Sequence, residues 1–550
     1  MKLARIALAI TLVTLGALGP AAPARAAAAY AQIEGTGSTW SKNIVDQWIA
    51  DVDRFGIKVT YTGGGSSVGR KNFANRTTDF GISEIPYQGT DEQGQADTSN
   101  GRDFAYLPIV AGGTAFTYHL EVGGQLVKNL RLSGDTIAKI FTNQITEWSD
   151  SAITRDNNGR RFPKLPITPV VRSDGSGTTA QFTTWLDDQY SSIWRDFYPR
   201  GGLTSYYPRQ GRAIGAAGSD QVMNTISSSA GNGTIGYVEY SYPVNEDYPV
   251  VKVLNRGGYY VEPTQYNVAV ALTKARIQDR DPSAEDYLTQ ILDDVYAAKD
   301  PRAYPLSSYS YMLIPTAADD TRMTTAKRQS LVDFMFWGLC EGQVNAGPFG
   351  YSPLPLNLVQ AGFKQLGRLK RADKDVDIAN RDATKCHNPT FVAGDLKRNR
   401  LAEIAPQPAA CDKVGAGPCG TETGNNLPST DDPDDPGNDG GDDDPGGNDG
   451  GDDPGGDDGN GPGSNAPGSD DPSGTPEIDP ETGQPIDDDD NLAGDDSVYA
   501  NPTELSANRP ADARVFGWVA AAELLALVLL PGLFVAVLRR RTAAKRNGSF

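Results

Sequence analysis

Between residues 421 and 510 the chain carries 26 Asp or Glu and a single Arg, threaded with Gly and Pro in repeats such as Gly-Gly-Asp-Asp-Pro. A segment of this kind has almost no apolar surface to bury and repels itself, so burial cannot offset the entropy of ordering it. It reads as an extended, disordered linker, reaching on the order of 300 Å if stretched and roughly 50 Å as a flexible coil. The D-x-[DN]-x-[DN]-G spacing with a closing Glu that marks an EF-hand loop is absent, which argues against specific calcium binding. Any globular domain must therefore lie on the N-terminal side of it.

The ends of the chain are equally distinct. Lys2 and Arg5 precede an apolar stretch at 6–18, and Ala24-Arg25-Ala26 follows, which predicts a signal peptide over 1–26. Residues 515–538 are almost wholly apolar and long enough to cross a bilayer as one transmembrane helix. Arg539, Arg540, Arg541, Lys545 and Arg546 follow it, so the tail at 539–550 is expected in the cytoplasm. Glu523 falls in the first turns of that span, where reaching the outer interface costs little. The body at 27–420 is thus expected on the extracellular side of the cell membrane, tethered by one helix.

The formal charge of −20 belongs mostly to the linker. Removing its −25, the leader's +3 and the +4 of residues 511–550 leaves the body at −2. A near-neutral body gives no reason to expect nucleic acid as a partner. Its four cysteines, Cys340, Cys386, Cys411 and Cys419, suggest two disulfides in an exported chain, with three pairings open. We favour Cys340–Cys386 and Cys411–Cys419, the second closing a short Gly/Pro loop. Zinc is disfavoured by the irregular spacing and by His387 being the sole nearby histidine.

From residue 30 to about 369 short apolar strands alternate with amphipathic helices, an α/β pattern. Strands are expected at 57–61, 79–83, 106–110, 167–171, 235–238 and 267–272. Helices are expected at 38–52, 135–141, 176–186, 219–229, 283–295 and 326–339. In such folds ligands collect where strand C-termini meet helix N-termini.

Three segments carry that junction chemistry. Gly35-Thr36-Gly37-Ser38-Thr39-Trp40 opens a helix whose Ile44, Val45, Trp48 and Ile49 form one face. Tyr61-Thr62-Gly63-Gly64-Gly65-Ser66-Ser67 follows a strand. Val171-Arg172-Ser173-Asp174-Gly175-Ser176-Gly177-Thr178-Thr179 sets a permanent cation, a carboxylate and four hydroxyls at the start of another helix. Unpaired N–H groups and the positive end of the helix dipole favour an anion there, and Arg172 adds a fork suited to tetrahedral oxyanions. Any one of these is equally a glycine turn with a helix cap; three of them beside an arginine favour a shared anion. Glu84 ends the strand at 79–83, where a carboxylate would repel an anion unless that anion carries a proton for it to accept. Hydrogen phosphate has such a proton and sulfate does not. An exposed strand-end glutamate is the alternative.

Enzyme motifs fit poorly. Neither glycine-rich turn carries the lysine of a P-loop, and Gly175-Ser176-Gly177 is not a nucleophile elbow. His119, in an apolar run, reads as structural. No cofactor or metal motif is found.

Taken in order, these segments, with G-T-I-G-Y-V-E-Y at 233–240, resemble the periplasmic phosphate-binding protein of bacterial phosphate ABC importers. The resemblance covers roughly 30–356. It implies a type II periplasmic-binding-protein fold, with two α/β lobes joined by a hinge and closing on inorganic phosphate. It also implies ABC permease and ATPase subunits as partners. By the same resemblance Thr39 lends its hydroxyl and Trp40, where the family usually has Phe, its backbone N–H. Ser66, Arg172, Ser176, Gly177 and Thr178 supply further donors, and Asp174 orients Arg172. The family's proton-accepting aspartate falls on Glu84, one methylene longer. A surface phosphate sensor or adhesion protein with the same fold is the alternative to transport.

Overall fold

The computed structural model describes residues 30–419, apart from Asn380 and Leu396. The expected signal peptide, acidic linker, transmembrane span and basic tail lie outside the described residues. Among the described residues no helix is long and apolar enough to cross a membrane.

Eight strands carry the architecture: β1 (Ile33–Gly37), β2 (Val59–Gly63), β3 (Phe80–Ser83), β4 (Phe104–Tyr118), β5 (Thr168–Arg172), β6 (Ile214–Ala216), β7 (Thr234–Glu239) and β8 (Ser307–Pro315). Their spatial order is β6-β5-β7-β4-β8-β3-β1-β2. At each end the strands run parallel, β1 with β2 and β3, and β5 with β6 and β7. Parallel neighbours require crossover connections, and helices fill them. The two ends are joined by β4, which is 15 residues long. Its first part pairs antiparallel with β8, and Thr114–Tyr118 pair antiparallel with β7. The result is the two-lobed α/β architecture, with β4 passing from the first lobe into the second.

The helices that matter for the site each begin just beyond a strand C-terminus. They are α1 (Lys42–Asp53) after β1, α2 (Ser66–Ala74) after β2, α3 (Gly177–Gln189) after β5 and α4 (Gly218–Ser227) after β6. In α1 the buried Ile44, Val45, Trp48 and Val52 recur at helical spacing and pin that helix to the sheet. The second lobe is centred on an aromatic cluster in which Phe182 of α3 lies 4.9 Å from Tyr237 of β7 and 5.1 Å from Phe141, centroid to centroid. Edge-on and tilted ring contacts of this kind fix α3 against β7, and hence the start of α3 against the end of β5.

Two expected elements are wrong in kind. Residues 267–272, expected as a strand, belong to α5 (Gln265–Leu272), which Thr264 caps by accepting the Asn267 N–H. The helix is buried on nearly all sides, so its apolar run shows no period to separate it from a buried strand. Residues 283–295, expected as a helix, instead hold a two-residue strand, Gln290–Ile291, paired with Arg276–Ile277, and a single helical turn, Asp293–Tyr296. Leu288 adopts φ +72°, and its N–H goes to Gln278 O, which breaks any helix there. The strands β1, β6 and β8 were not anticipated, nor were the helix α2 and the 17-residue helix Leu356–Ala372. The strands β2, β3, β5 and β7 and the expected helices at 38–52, 135–141, 176–186, 219–229 and 326–339 fall within a few residues of expectation, and β4 is far longer than expected.

Both favoured disulfides are present, Cys340–Cys386 and Cys411–Cys419, with Cα separations of 4.9 and 5.1 Å. They secure a C-terminal extension that also docks through a buried Lys252–Asp412 ion pair at 2.8 Å and an Arg131 hydrogen bond to Cys411 O.

Candidate anion-binding site

The second lobe's share of the site is built by one continuous run. β5 ends at Arg172, a residue only 2% exposed. Asp174, two residues on, takes Arg172 Nε at 2.7 Å and also Nη2. This two-point grip fixes the plane of the guanidinium and turns its Nη1 toward Ser219 Oγ, 3.5 Å away. Burial opposes a charge on Asp174, but the Arg172 hydrogen bonds and charge and the Gly218 N–H outweigh it and hold the carboxyl below its ordinary value. Ser176 then caps α3 by accepting the Thr179 N–H at 3.2 Å. Thr178 Oγ1 is buried and has no hydrogen-bond partner among the described residues. Leaving a hydroxyl in that state costs about 1–3 kcal/mol, as expected of a group that faces a ligand.

The first lobe assembles its share from separate segments. Thr39, after β1, places Oγ1 3.0 Å from Ser219 Oγ and accepts the Ser219 N–H at 3.1 Å. Ser66, first residue of α2, donates to Glu84 Oε2 at 2.7 Å and accepts the Gly177 N–H at 3.1 Å. Glu84 is 1% exposed, which removes the exposed-glutamate alternative. Its other oxygen accepts from Ser310 of β8 at 2.9 Å. Four helix starts thus meet here, those of α1, α2, α3 and α4, beside one arginine and two carboxylates.

The lobes approach so closely that side chains are excluded at two positions. A Cβ on Gly177 would lie 2.1 Å from Glu84 Oε2 and 2.5 Å from Ser66 Oγ. Gly65 has φ +89°, and a Cβ there would lie 2.5 Å from Asp174 Oδ2. The Ser67 N–H reaches across to Gly175 O at 3.1 Å, and Tyr242 donates to Thr39 O at 2.5 Å. The Trp40 backbone N–H is taken by Ser38 Oγ at 2.9 Å, as the Gly177 N–H is taken by Ser66 Oγ, and the buried Trp40 indole stands edge-on to Tyr351.

The structure therefore brings Thr39, Ser66, Glu84, Arg172, Asp174, Ser176, Gly177 and Thr178 to one place. Sequence reasoning missed Ser219 and Ser310. Ser219 had a signal, since Gly218-Ser219 repeats the glycine–hydroxyl start of the other helices. Ser310 had none, being mid-strand and 226 residues from its partner. His119 spends both ring nitrogens locally, Nδ1 with Ile226 O at 3.0 Å and Nε2 with Glu121 at 3.1 Å, in keeping with a structural role. Among the described residues no group of three or more His, Cys, Asp or Glu could hold a metal ion.

Two α/β lobes with donors from both converging at the crossing define a solute-binding protein of the bilobal type. The chain belongs to the PBP superfamily, whose domain model matches residues 22–337, and within it to the PstS phosphate-binding proteins. The phosphate-binding protein PstS of Methanocaldococcus jannaschii is 31% identical over 349 residues, spanning 62% of this chain and 86% of its own. PstS 2 of Mycobacterium tuberculosis is 28% identical over 330 residues, 59% of this chain and 83% of its own. The solved phosphate-binding protein of Stenotrophomonas maltophilia aligns over 60% of this chain and 92% of its own, at 17% identity and a TM-score of 0.44.

Proposed function

We propose that this chain is a receptor that captures inorganic phosphate outside the cell and hands it to an ABC-type importer. The observation that carries the reading is the buried Glu84, an acceptor held opposite Arg172 and four helix starts. Arg172, Thr39, Ser66, Ser176, the Gly177 N–H and Thr178 donate to the unprotonated oxygens of HPO₄²⁻, and Glu84 accepts its single proton. Closure of the lobes removes water from the anion, which strengthens each of these bonds. A fully deprotonated oxyanion leaves Glu84 facing a lone pair, and the site rejects it. The relatives named above are phosphate-binding proteins, which supports the ligand. Trp40 and Gly177 contribute through their backbone N–H groups once Ser38 and Ser66 yield them. Capture and delivery require no bond to be made or broken, so we assign the chain no catalytic step.

The predicted leader and the apolar span at 515–538 place this receptor on the extracellular side of the membrane, with the acidic linker as its tether. The permease and ATPase that receive the phosphate are separate chains. Calorimetric titration of the full chain with phosphate, arsenate and sulfate tests the reading. Phosphate is expected to bind, arsenate to compete, and sulfate to bind on the order of 100-fold more weakly. Sulfate binding as tight as phosphate would remove the role given to Glu84.

A further inference from the structure

Glu84 is held by two hydroxyls that differ in what they can do next. Ser66 donates to Oε2 at 2.7 Å and Ser310 to Oε1 at 2.9 Å. An ionised carboxylate only accepts, so each serine spends its single proton on Glu84. The Ser66 oxygen is then left as an acceptor, and the Gly177 N–H fills that role. Ser66 cannot donate to Glu84 and to an incoming anion at once.

An anion that takes the Ser66 proton must therefore restore a proton donor at Oε2. Hydrogen phosphate does so with its own O–H: one hydrogen bond to Oε2 is exchanged for another, and no proton changes owner. Sulfate has none to offer and leaves Oε2 buried and unpaired, at the cost such groups carry. This exchange discriminates only if the carboxylate stays still while Ser66 turns away.

Ser310 is placed to keep it still. Antiparallel pairing of β8 with β3 sets Tyr311 opposite Ser83, so continuing the register places Ser310 opposite Glu84. Ser310 is fully buried, and Ser41 Oγ lies 3.2 Å from its hydroxyl. The Glu84 backbone is fixed separately, its carbonyl accepting from Gln181 and Gln290. On the reading that the site takes phosphate, we infer that Ser310 is a positioning residue that sets selectivity for a protonated oxyanion, by holding Glu84 Oε1 while Ser66 releases Oε2.

The test compares Ser310→Ala and Ser310→Thr with the unaltered full chain, titrated with phosphate and with sulfate, each checked for an unchanged melting temperature. Ser310→Ala should weaken phosphate about 10-fold and leave sulfate no weaker, narrowing the ratio by about that factor. Ser310→Thr, which keeps the hydroxyl, should restore it. If Ser310→Ala does not fold, Ser310→Cys, close in volume but a feeble donor, carries the same expectation. A parallel loss of both anions, or an unchanged ratio, would overturn the inference while leaving phosphate as the ligand. An unaltered chain that fails to bind phosphate would remove the functional reading itself.

Discussion

The two halves of the site are made in opposite ways. In the second lobe Arg172, Asp174, Ser176, Gly177 and Thr178 lie within seven consecutive residues, and a strand end, a turn and a helix cap set their geometry. In the first lobe Glu84 depends on Ser66 from one helix and Ser310 from a strand more than 200 residues away. The local half is organised by covalent proximity and two hydrogen bonds to Asp174. The dispersed half exists only once β1, β2, β3 and β8 have formed one sheet. The local half should therefore govern affinity, and the dispersed half selectivity.

The harshest way to break this contrast is Arg172→Ala. It removes the one formal cation at the site, itself buried, and leaves the part-buried Asp174 without its partner. Loss of a buried charged partner costs about 3–5 kcal/mol, so phosphate affinity should fall roughly 1000-fold or more in a calorimetric titration. Phosphate and sulfate should lose alike, because Arg172 reads charge and not protonation. Glu84→Gln probes the other half. One acceptor oxygen becomes an amide donor, so phosphate should weaken on the order of 100-fold while sulfate tightens. If the two substitutions changed the phosphate-to-sulfate ratio equally, the division of labour would be wrong.

How much of this was legible in the chain follows the same divide. The helix start at Gly177 and the strand ending at Arg172 were readable because glycine, hydroxyl and apolar period lie side by side; the turn at 61–67 was readable as a donor-rich strand end, its helix at Ser66–Ala74 was not. Glu84 was readable as a carboxylate at a strand end, but its burial was not, since burial is conferred by β8 and α3. β8 itself went unseen: its Ser-Ser-Tyr-Ser-Tyr run offers hydroxyls on the face where a strand of this kind normally shows aliphatic side chains, though every one of its residues is buried. The helix Gln265–Leu272 failed for the opposite reason, being apolar in every direction.

Asp174→Asn sharpens the contrast within the local half. It keeps the shape but removes the charge that orients Arg172, and about a 10-fold loss of phosphate affinity is expected. The folded-state pKa of Asp174 lies below its unfolded value, so its ion pair stabilises the chain fully above the ordinary carboxylate range. That contribution fades as pH falls below about 4, through the folded value. Thermal unfolding followed from pH 7 to pH 2.5 should show the unaltered chain losing part of its advantage over Asp174→Asn in that acid window. An advantage that stayed constant down to pH 2.5 would mean the pair contributes nothing through its charge.

The smallest effect belongs to the residue that touches both halves. Ser219 meets Thr39 of the first lobe through its N–H and its hydroxyl, while Arg172 of the second points Nη1 at the same hydroxyl. Ser219→Ala keeps the N–H contact and removes the hydroxyl, so Thr39 and Arg172 lose a shared neighbour without losing each other's lobe. One neutral hydrogen bond contributes about 1 kcal/mol, which sets the expected loss of phosphate affinity at about 3- to 5-fold. Because Ser219 lies on the Arg172 side of the site and away from Glu84, the phosphate-to-sulfate ratio should hold within 2-fold or so. A marked change in that ratio would mean that selectivity is shared across the crossing, and that the halves are not separable.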